Sequence, residues 1–298
     1  MLPSLSQRLG APGVLIADGA MGTMLIRRGL RPGDCPERMN LEKASILQEI
    51  ATAYLEAGAE LIQTNTFGAS PLKLAAYGLE GHTESINRGA VEAVRRAVAD
   101  RAYVSASVGP SGRILEPYGD TREEVVYDSY RRQVSALLSA GVDLICVETM
   151  MDVREAILAM RAVKSFSTDV PVAASMTFDL TSRGFRTVMG TGIQEAATRL
   201  AEAGADVIGS NCGNGIARMA AIAEEFCRVS TLPIIIQSNA GLPVVKDEMT
   251  IYPETPAFMA DQSRKLRAAG VKIIGGCCGT TPEHISAIAE AVGRNRPA

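Results

Sequence analysis

Several features that assign proteins to a class are missing from this chain. No apolar run approaches the roughly 20 residues of a membrane-spanning helix, and residues 1–13 lack the basic cluster and apolar core of an export signal. The formal net charge is only -3, which leaves no basic surface for nucleic acid and no charged run for a membrane surface. We therefore expect a cytoplasmic protein with a small, roughly neutral or zwitterionic partner.

Histidine is also scarce, with only two in 298 residues. His82 lies in a polar loop and His284 in the first turn of the last predicted helix. Neither has a histidine or carboxylate partner at metal-ligand spacing, so we predict capping or surface roles for both. The six cysteines, in a chain this long without an export signal, indicate a metal site or a reactive thiol rather than disulfides.

Short β-branched or apolar runs alternate with longer amphipathic ones along the chain. Strands are predicted at 14–17, 61–64, 103–108, 144–148, 172–178, 207–210, 234–238 and 273–275. Each is followed by a helical pattern, the first of which covers 41–57. Box-like helix starts are predicted at Thr121/Glu124, Asp152/Glu155 and Thr191/Gln194.

A weak internal repeat supports this division. The pattern Ala-Gly-x-x-x-Ile occurs four times, with its glycine at Gly58, Gly141, Gly204 and Gly270. Each glycine is expected to end a helix just before the next strand begins. Eight strand–helix units with no Pro/Gly-rich or polar linker between halves predict an α/β fold, a single (β/α)8 TIM barrel that takes 1–298 as one domain.

The active site of such a barrel lies at the carboxyl ends of its strands. Cys212 ends the sixth predicted strand, and Cys277 and Cys278 end the eighth. Neighbouring side chains on a strand point to opposite faces, so the two adjacent thiols can share one target only if the backbone curls. Gly275, Gly276 and Gly279 permit that curl, and Thr281 and Pro282 can then start a helix. Three thiolates can therefore meet at the barrel mouth.

Three thiolates from two strand ends are typical of a zinc site with an open fourth position. A vicinal disulfide between Cys277 and Cys278, or an iron–sulfur cluster that lacks a fourth cysteine, are the alternatives. Asn239, at the end of the seventh predicted strand, is a weak candidate for the fourth position when substrate is absent. The remaining cysteines, Cys35, Cys146 and Cys227, are expected to be buried small hydrophobes or bystanders.

These residues also carry a family resemblance that covers essentially the whole chain. The chain resembles the homocysteine-binding methyltransferase family in the motifs Asp18-Gly19-Ala20-Met21-Gly22-Thr23, Gly209-Ser210-Asn211-Cys212 and Gly275-Gly276-Cys277-Cys278-Gly279. Segments 65–69 and 239–243 resemble the homocysteine module of cobalamin-dependent methionine synthase more than the betaine- or S-methylmethionine-dependent branches. The resemblance implies a (β/α)8 barrel in which Cys212, Cys277 and Cys278 hold Zn2+, and in which homocysteine is methylated to methionine.

The amino acid part of such a substrate needs its own partners. Glu148, at the end of the fourth predicted strand, is the candidate catalytic carboxylate and the partner of the substrate ammonium. Backbone N–H groups from Asp18 through Gly19 to Gly22 can receive the substrate carboxylate in a glycine-lined nest, and Asn211 completes the predicted substrate-binding set. The alternatives are a structural Glu148 paired with an arginine and an Asp18 that caps a turn.

The chain ends at Ala298, soon after the eighth predicted helix, so we expect the methyl group to arrive from outside. A separate methylated corrinoid protein, carrying methylcobalamin and docking at the barrel mouth, is the preferred donor. The alternatives are a small methylated sulfonium or betaine, a module cut from a larger chain, and a non-catalytic module that stores or senses homocysteine or a similar thiol.

Overall fold

The computed structural model describes residues 2–246 and 249–293. Its strands are β1 (Leu15–Ile16), β2 (Leu61–Gln63), β3 (Tyr103–Val108), β4 (Leu144–Met150), β5 (Val172–Met176), β6 (Asp179–Thr181), β7 (Gly184–Arg186), β8 (Val207–Gly215), β9 (Ile234–Asn239), β10 (Val244–Lys246), β11 (Met249–Ile251) and β12 (Ile273–Gly276). Its α-helices are α1 (Leu5–Gly10), α2 (Met21–Arg27), α3 (Met39–Glu42), α4 (Ala44–Glu56), α5 (Pro71–Leu74), α6 (Thr83–Val98), α7 (Glu123–Ser139), α8 (Val153–Lys164), α9 (Ile193–Glu202), α10 (Ile216–Val229), α11 (Pro256–Ala269) and α12 (Pro282–Ala291).

Eight strands form one parallel sheet in the order β1-β12-β9-β8-β5-β4-β3-β2. A parallel bridge between Ala17 and Leu61 joins the two ends of this order and closes the barrel. The predicted (β/α)8 fold is therefore confirmed, and each predicted strand is present, although β4 continues to Met150 and β8 to Gly215. The carboxyl ends of β8, β9 and β12 lie side by side, which brings the candidate cysteines together.

The barrel interior and the layer between strands and helices are both closely filled. The inner layer includes Leu61, Leu144, Val207 and Ile273, with Leu5 of α1 packed against it. A larger cluster lies between the sheet and the surrounding helices. Cys146 belongs to the inner layer and is fully buried, as predicted. In the described part of the chain, no helix has both the length and the apolar character needed to cross a membrane.

Several local predictions of helix bounds and helix starts are wrong. The predicted helix 41–57 is divided into α3 and α4 at Lys43, whose backbone leaves the helical region. The box predicted at Thr121 is absent because α7 starts at Glu123 after Arg122. The start predicted at Thr191 is displaced, since the N-cap of α9 is Gly192. Two antiparallel hairpins, β6–β7 and β10–β11, were not predicted from the sequence.

Other helix-end signals are confirmed. Gly58, Gly141, Gly204 and Gly270 have φ values of 106°, 84°, 88° and 97°, the left-handed backbone that ends a helix. Asp152 caps α8 by accepting a hydrogen bond from the N–H of Arg154 at 2.8 Å. Its predicted box partner Glu155 does not point back at the cap, because its carboxylate accepts the N–H of Ser111 at 2.7 Å.

Candidate active site

The three thiols selected from the sequence lie together at the carboxyl end of the barrel. The sulfur atoms of Cys212, Cys277 and Cys278 are all within 4.8 Å of one another, the single such group of metal-ligating side chains among the described residues. The Sγ atoms of Cys212 and Cys278 are 3.9 Å apart. Thiolates bound tetrahedrally at ~2.3 Å from zinc are ~3.8 Å apart, so the cluster fits one zinc ion. All six cysteines are free thiols.

Strained backbone turns Cys212 toward its partners. The pairing of β8 with β9 shifts register between Asn211 and Gly215, and Cys212 has a φ of 59°. A non-glycine residue with positive φ is uncommon, and such strain persists where the surrounding structure holds it. The end of β8 therefore departs from regular strand geometry at the residue that carries the first thiol.

The loop that carries the other two thiols is held by hydrogen bonds to the end of β9. The Cys277 N–H donates to the carbonyl of Ser238 at 2.7 Å, and the Cys278 carbonyl accepts the N–H of Ala240 at 2.9 Å. A Cβ on Gly276 would lie 2.3 Å from Thr280 Oγ1, and Gly279 has a φ of 82°. The predicted curl is thus present, through close approach at one glycine and left-handed backbone at the other.

The start of α12 confirms the predicted roles of Thr281, Pro282 and His284. Pro282 is the first helical residue after Thr281. The N–H of Thr281 donates to His284 Nδ1 at 3.2 Å, while Nε2 lies 3.0 Å from the carbonyl of Glu254. Burial lowers the pKa of His284 below its ordinary value of 6.5. His284 therefore caps the helix as a neutral imidazole, with Nδ1 as the acceptor.

The three thiols shift one another's pKa values through hydrogen bonds. Hydrogen bonds from Cys212, the larger effect, and from Cys277 lower the pKa of Cys278 to about 3, and a hydrogen bond from the Tyr252 hydroxyl also lowers it. Interaction with the neighbouring thiols, together with burial, holds the pKa of Cys277 well above its ordinary value. Tyr252 was not identified from the sequence. A Cβ on Gly279 would lie 2.1 Å from its ring, so glycine is what lets the tyrosine lie against the thiol loop.

Glu148 is a buried carboxylate beside the thiols. Its Oε1 accepts a hydrogen bond from the hydroxyl of Ser107, and its Oε2 accepts one from Asn211 Nδ2 at 3.2 Å. Burial raises the pKa of Glu148 to about 7. Among the ion pairs of the described residues none includes Glu148, which removes the alternative of an arginine-paired carboxylate.

The thiols and Glu148 face one cavity of about 410 Å3 at the barrel mouth. Its wall contains both polar and apolar residues: Gly19, Ala20, Met21, Gly22, Thr23, Pro36, Glu37, Gln63, Thr64, Asn65, Phe67, Ser107, Glu148, Thr149, Cys212, Gly276, Cys277 and Cys278. Ser107 and Thr149 had no signal in the sequence that separated them from other strand-end residues, and Glu37 lies in a 3-10 turn, Pro36–Arg38, that was not predicted. The cavity therefore combines a thiolate cluster, one carboxylate and an apolar side near Met21 and Phe67.

Comparison with known proteins decides the family. The model of the homocysteine S-methyltransferase family matches residues 15–292. The chain belongs to the homocysteine S-methyltransferase family. This family agrees with the resemblance seen in the motifs.

Individual relatives agree with this family. The chain is 34% identical to the methionine synthases of Mycobacterium leprae and Mycobacterium tuberculosis, over 99% and 98% of its length, and covers 25% of each of those proteins. It thus spans about a quarter of the relatives it matches. The metallated Escherichia coli homocysteine methyltransferase MmuM superposes with a TM-score of 0.80 at 26% identity, covering 96% of this chain and 99% of that one.

Gly19 and Asp18, both from the first family motif, differ in whether they line the cavity. Gly19 lines the cavity, and a Cβ there would lie 2.7 Å from Thr280 Oγ1, so no side chain fits. Asp18 does not line the cavity. Its carboxylate accepts the N–H of Gln63 on β2 at 2.9 Å, and burial raises its pKa to about 8. Asp18 therefore braces two adjacent strands rather than capping a turn.

Asn239 and Asn211, the two amides named from the sequence, are both buried. Asn239 is 4% exposed, and its Oδ1 atom has no hydrogen-bond partner among the described residues. Asn239 does not line the cavity, so its assignment to the fourth zinc position stays a prediction. Asn211 is fully buried and does not line the cavity, so its position differs from that expected of a substrate contact.

Proposed function

We propose that Cys212, Cys277 and Cys278 hold one zinc ion and that the protein methylates the thiol of homocysteine to give methionine. The observation that carries this proposal is the thiol cluster and Glu148 facing one cavity in a barrel of the homocysteine S-methyltransferase family. Zinc bound in such a site favours the thiolate of the substrate, which as a free alkyl thiol is mostly protonated at neutral pH.

The protein's own residues orient the amino acid part of the substrate. Glu148 accepts the substrate ammonium, and the incoming cation stabilises the ionised carboxylate against the cost of its burial. The substrate carboxylate lies against the backbone N–H groups of Gly19, Met21 and Gly22, of which the last two are first-turn amides of α2 without a partner in the helix, while the Ala20 N–H donates to Thr280 Oγ1 at 3.1 Å. These contacts direct the substrate sulfur toward the three cysteines.

For the methyl donor we propose a separate methylated corrinoid protein that docks at the barrel mouth. The support is the 34% identity to methionine synthases over nearly the whole chain, together with the segments 65–69 and 239–243. A small methylated sulfonium or betaine is the second candidate. The observation in its favour is the end-to-end structural similarity to MmuM, of which this chain covers 99%.

Elemental analysis of purified variants tests the metal site. One zinc per chain is expected in the wild type and in Cys35→Ala and Cys227→Ala, which serve as controls because both cysteines lie outside the cluster. Alanine at Cys212, Cys277 or Cys278 should remove a ligand from a site whose total binding energy is on the order of 10 kcal/mol, and so lower the zinc content sharply. Unchanged zinc in Cys278→Ala would exclude that residue as a ligand.

A donor screen tests the reaction. Zinc-loaded protein and homocysteine are incubated with methylcobalamin, free or bound to a corrinoid protein, and in parallel with S-methylmethionine and betaine. We expect slow demethylation of free methylcobalamin and faster demethylation of the protein-bound cofactor, because docking supplies orientation. Methionine from a small donor without cobalamin demethylation would replace the corrinoid proposal. Homocysteine binding with no product from any donor would favour a storage or sensing role.

A further inference from the structure

The side chain of Asn211 uses all of its hydrogen-bonding capacity inside the protein. Its Oδ1 accepts the N–H of Thr149 at 2.7 Å and the hydroxyl of Ser175 at 2.7 Å. Its Nδ2 donates to Thr149 Oγ1 at 2.8 Å and to Glu148 Oε2 at 3.2 Å. An amide has two donor hydrogens and two acceptor lone pairs, so none remains for a substrate. The donation by the Thr149 N–H also fixes which end of the amide is oxygen.

Asn211 adjoins both residues with strained backbone at the barrel mouth. Thr149 has a φ of 58° and Cys212 a φ of 59°, and both line the cavity. Positive φ is especially unfavourable for a β-branched residue such as threonine. Asn211 contacts both the N–H and the hydroxyl of Thr149 and directly precedes Cys212 in the chain. The Asn211 side chain therefore stabilises the strained backbone of Thr149, and Asn211 is joined directly to the strained Cys212.

The same amide lies between the two halves of the site. On one side Nδ2 donates to Glu148, and on the other it lies 3.9 Å from the Sγ of Cys277. Its position joins the carboxylate that receives the substrate ammonium to the cluster that holds zinc. The distance between these two groups determines whether one homocysteine molecule can reach both at once.

We propose that Asn211 is a positioning residue that sets the separation of Glu148 from the thiol cluster, rather than a direct substrate contact. This inference rests on the proposed function. A buried amide with every partner supplied by the protein preorganises its neighbours without loss of freedom on binding. Its loss should weaken homocysteine binding and disturb the thiols, although Asn211 itself touches no substrate.

Asn211→Asp is the test variant because it preserves the shape of the side chain and removes the amide donor that faces Glu148. The oxygen that accepts from Thr149 and Ser175 stays, while the Nδ2 donor to Glu148 is replaced by an oxygen, so that two adjacent carboxyl groups must share one proton or repel each other. Asn87→Asp is the matched control. Asn87 is also fully buried, its Nδ2 donates to the carbonyls of Ala69 and Thr83 at 2.9 and 2.7 Å, and it lies outside the cavity wall.

Three measurements are made on both variants: the homocysteine Kd of the zinc-loaded protein by calorimetry, zinc content, and the rate at which a disulfide reagent modifies the metal-free thiols. In Asn211→Asp we expect the Kd to rise tenfold or more and the thiol reaction rate to change severalfold. In Asn87→Asp we expect a lower unfolding midpoint with all three values unchanged. Equal effects in the two variants, or a purely thermal effect in Asn211→Asp, would overturn the proposal.

Ser175→Ala provides a second variant if Asn211→Asp does not fold. Ser175 is fully buried and outside the cavity wall, and it contacts Asn211 through one hydrogen bond. A threefold or greater rise in the homocysteine Kd is expected, and an unchanged Kd would contradict the inference. If the wild type itself binds no homocysteine, the proposed function fails. The thiol reaction rates, which need neither zinc nor substrate, then still decide whether Asn211 positions the cluster.

Discussion

Replacing Glu148 by glutamine should make the metal-free protein more stable at alkaline pH while it weakens homocysteine binding. Burial raises the pKa of Glu148 from its ordinary 4.5 to about 7. A carboxyl group with a raised folded-state pKa stabilises the fold fully below pH 4.5, and this contribution is lost as the pH rises through about 7. Above that range the native protein carries a buried charge that the unfolded chain hydrates.

The magnitude follows from the two pKa values. At about 1.4 kcal/mol per pKa unit, the difference corresponds to about 3 kcal/mol of lost stability at pH 8. Glutamine removes this cost and can still accept from Asn211 Nδ2 through Oε1, but its Nε2 then faces Ser107, whose hydroxyl must change from donor to acceptor, and the loss of the bond to a charged group costs about 1 kcal/mol. The net expectation is a gain of about 2 kcal/mol at pH 8, and less than about 1 kcal/mol of difference at pH 5.

Urea unfolding of the chelator-treated wild type and Glu148→Gln at pH 5 and pH 8 measures this difference. Other titrating groups are common to both proteins and largely cancel in the comparison. A stability difference that is the same at the two pH values would refute the burial argument. Calorimetry on the zinc-loaded proteins should in parallel show at least tenfold weaker homocysteine binding by the variant, since a neutral amide cannot pair with the ammonium.

Three further predictions concern residues around the site. Gly209→Ala should destabilise the protein by about 3 kcal/mol or prevent folding, because its Cβ would lie 1.8 Å from the Ile235 carbonyl oxygen; thermal unfolding checks this. Tyr54→Phe should cost about 1 kcal/mol in urea unfolding through loss of the hydroxyl contact to the Ala20 carbonyl at 3.2 Å, and no change would contradict that contact. Because the pKa of His284 is lowered in the folded protein, this residue contributes to the free energy of unfolding above pH 6.5, and that contribution is lost on acidification. The free energy of unfolding of His284→Gln should therefore fall less than that of the wild type as the pH is lowered, and an equal fall in the two proteins would refute this.

The sequence predicted the barrel because its signals are local. Strand runs, amphipathic helices and the four helix-ending glycines each depend on residues within one turn or one strand, and eight repeats leave few architectures open. The two hairpins after β5 and β9 lacked the same signal. Their strands are three residues each, too short for a hydrophobic period to stand out.

Helix starts were predicted less well for a related reason. At Thr121 and Thr191 the motif is present, yet the backbone begins the helix elsewhere. At Asp152 the cap forms, but Glu155 finds a partner in the loop after β3. A short capping motif contributes about 1 kcal/mol, and a tertiary hydrogen bond of similar strength is enough to redirect its side chain.

The fold class was predicted correctly from the sequence, and Cys212, Cys277, Cys278 and Glu148 were correctly placed at strand ends, because strand ends can be read from periodicity and a parallel barrel gathers those ends on one face. Their mutual geometry depends on contacts that form only in the folded chain. The left-handed backbone of Cys212, the Tyr252 hydroxyl beside Cys278 and the pairing of Asn211 with Thr149, 62 residues earlier, depend on contacts between distant segments. No local pattern records those contacts, since their energies arise only when the chain has closed into the barrel.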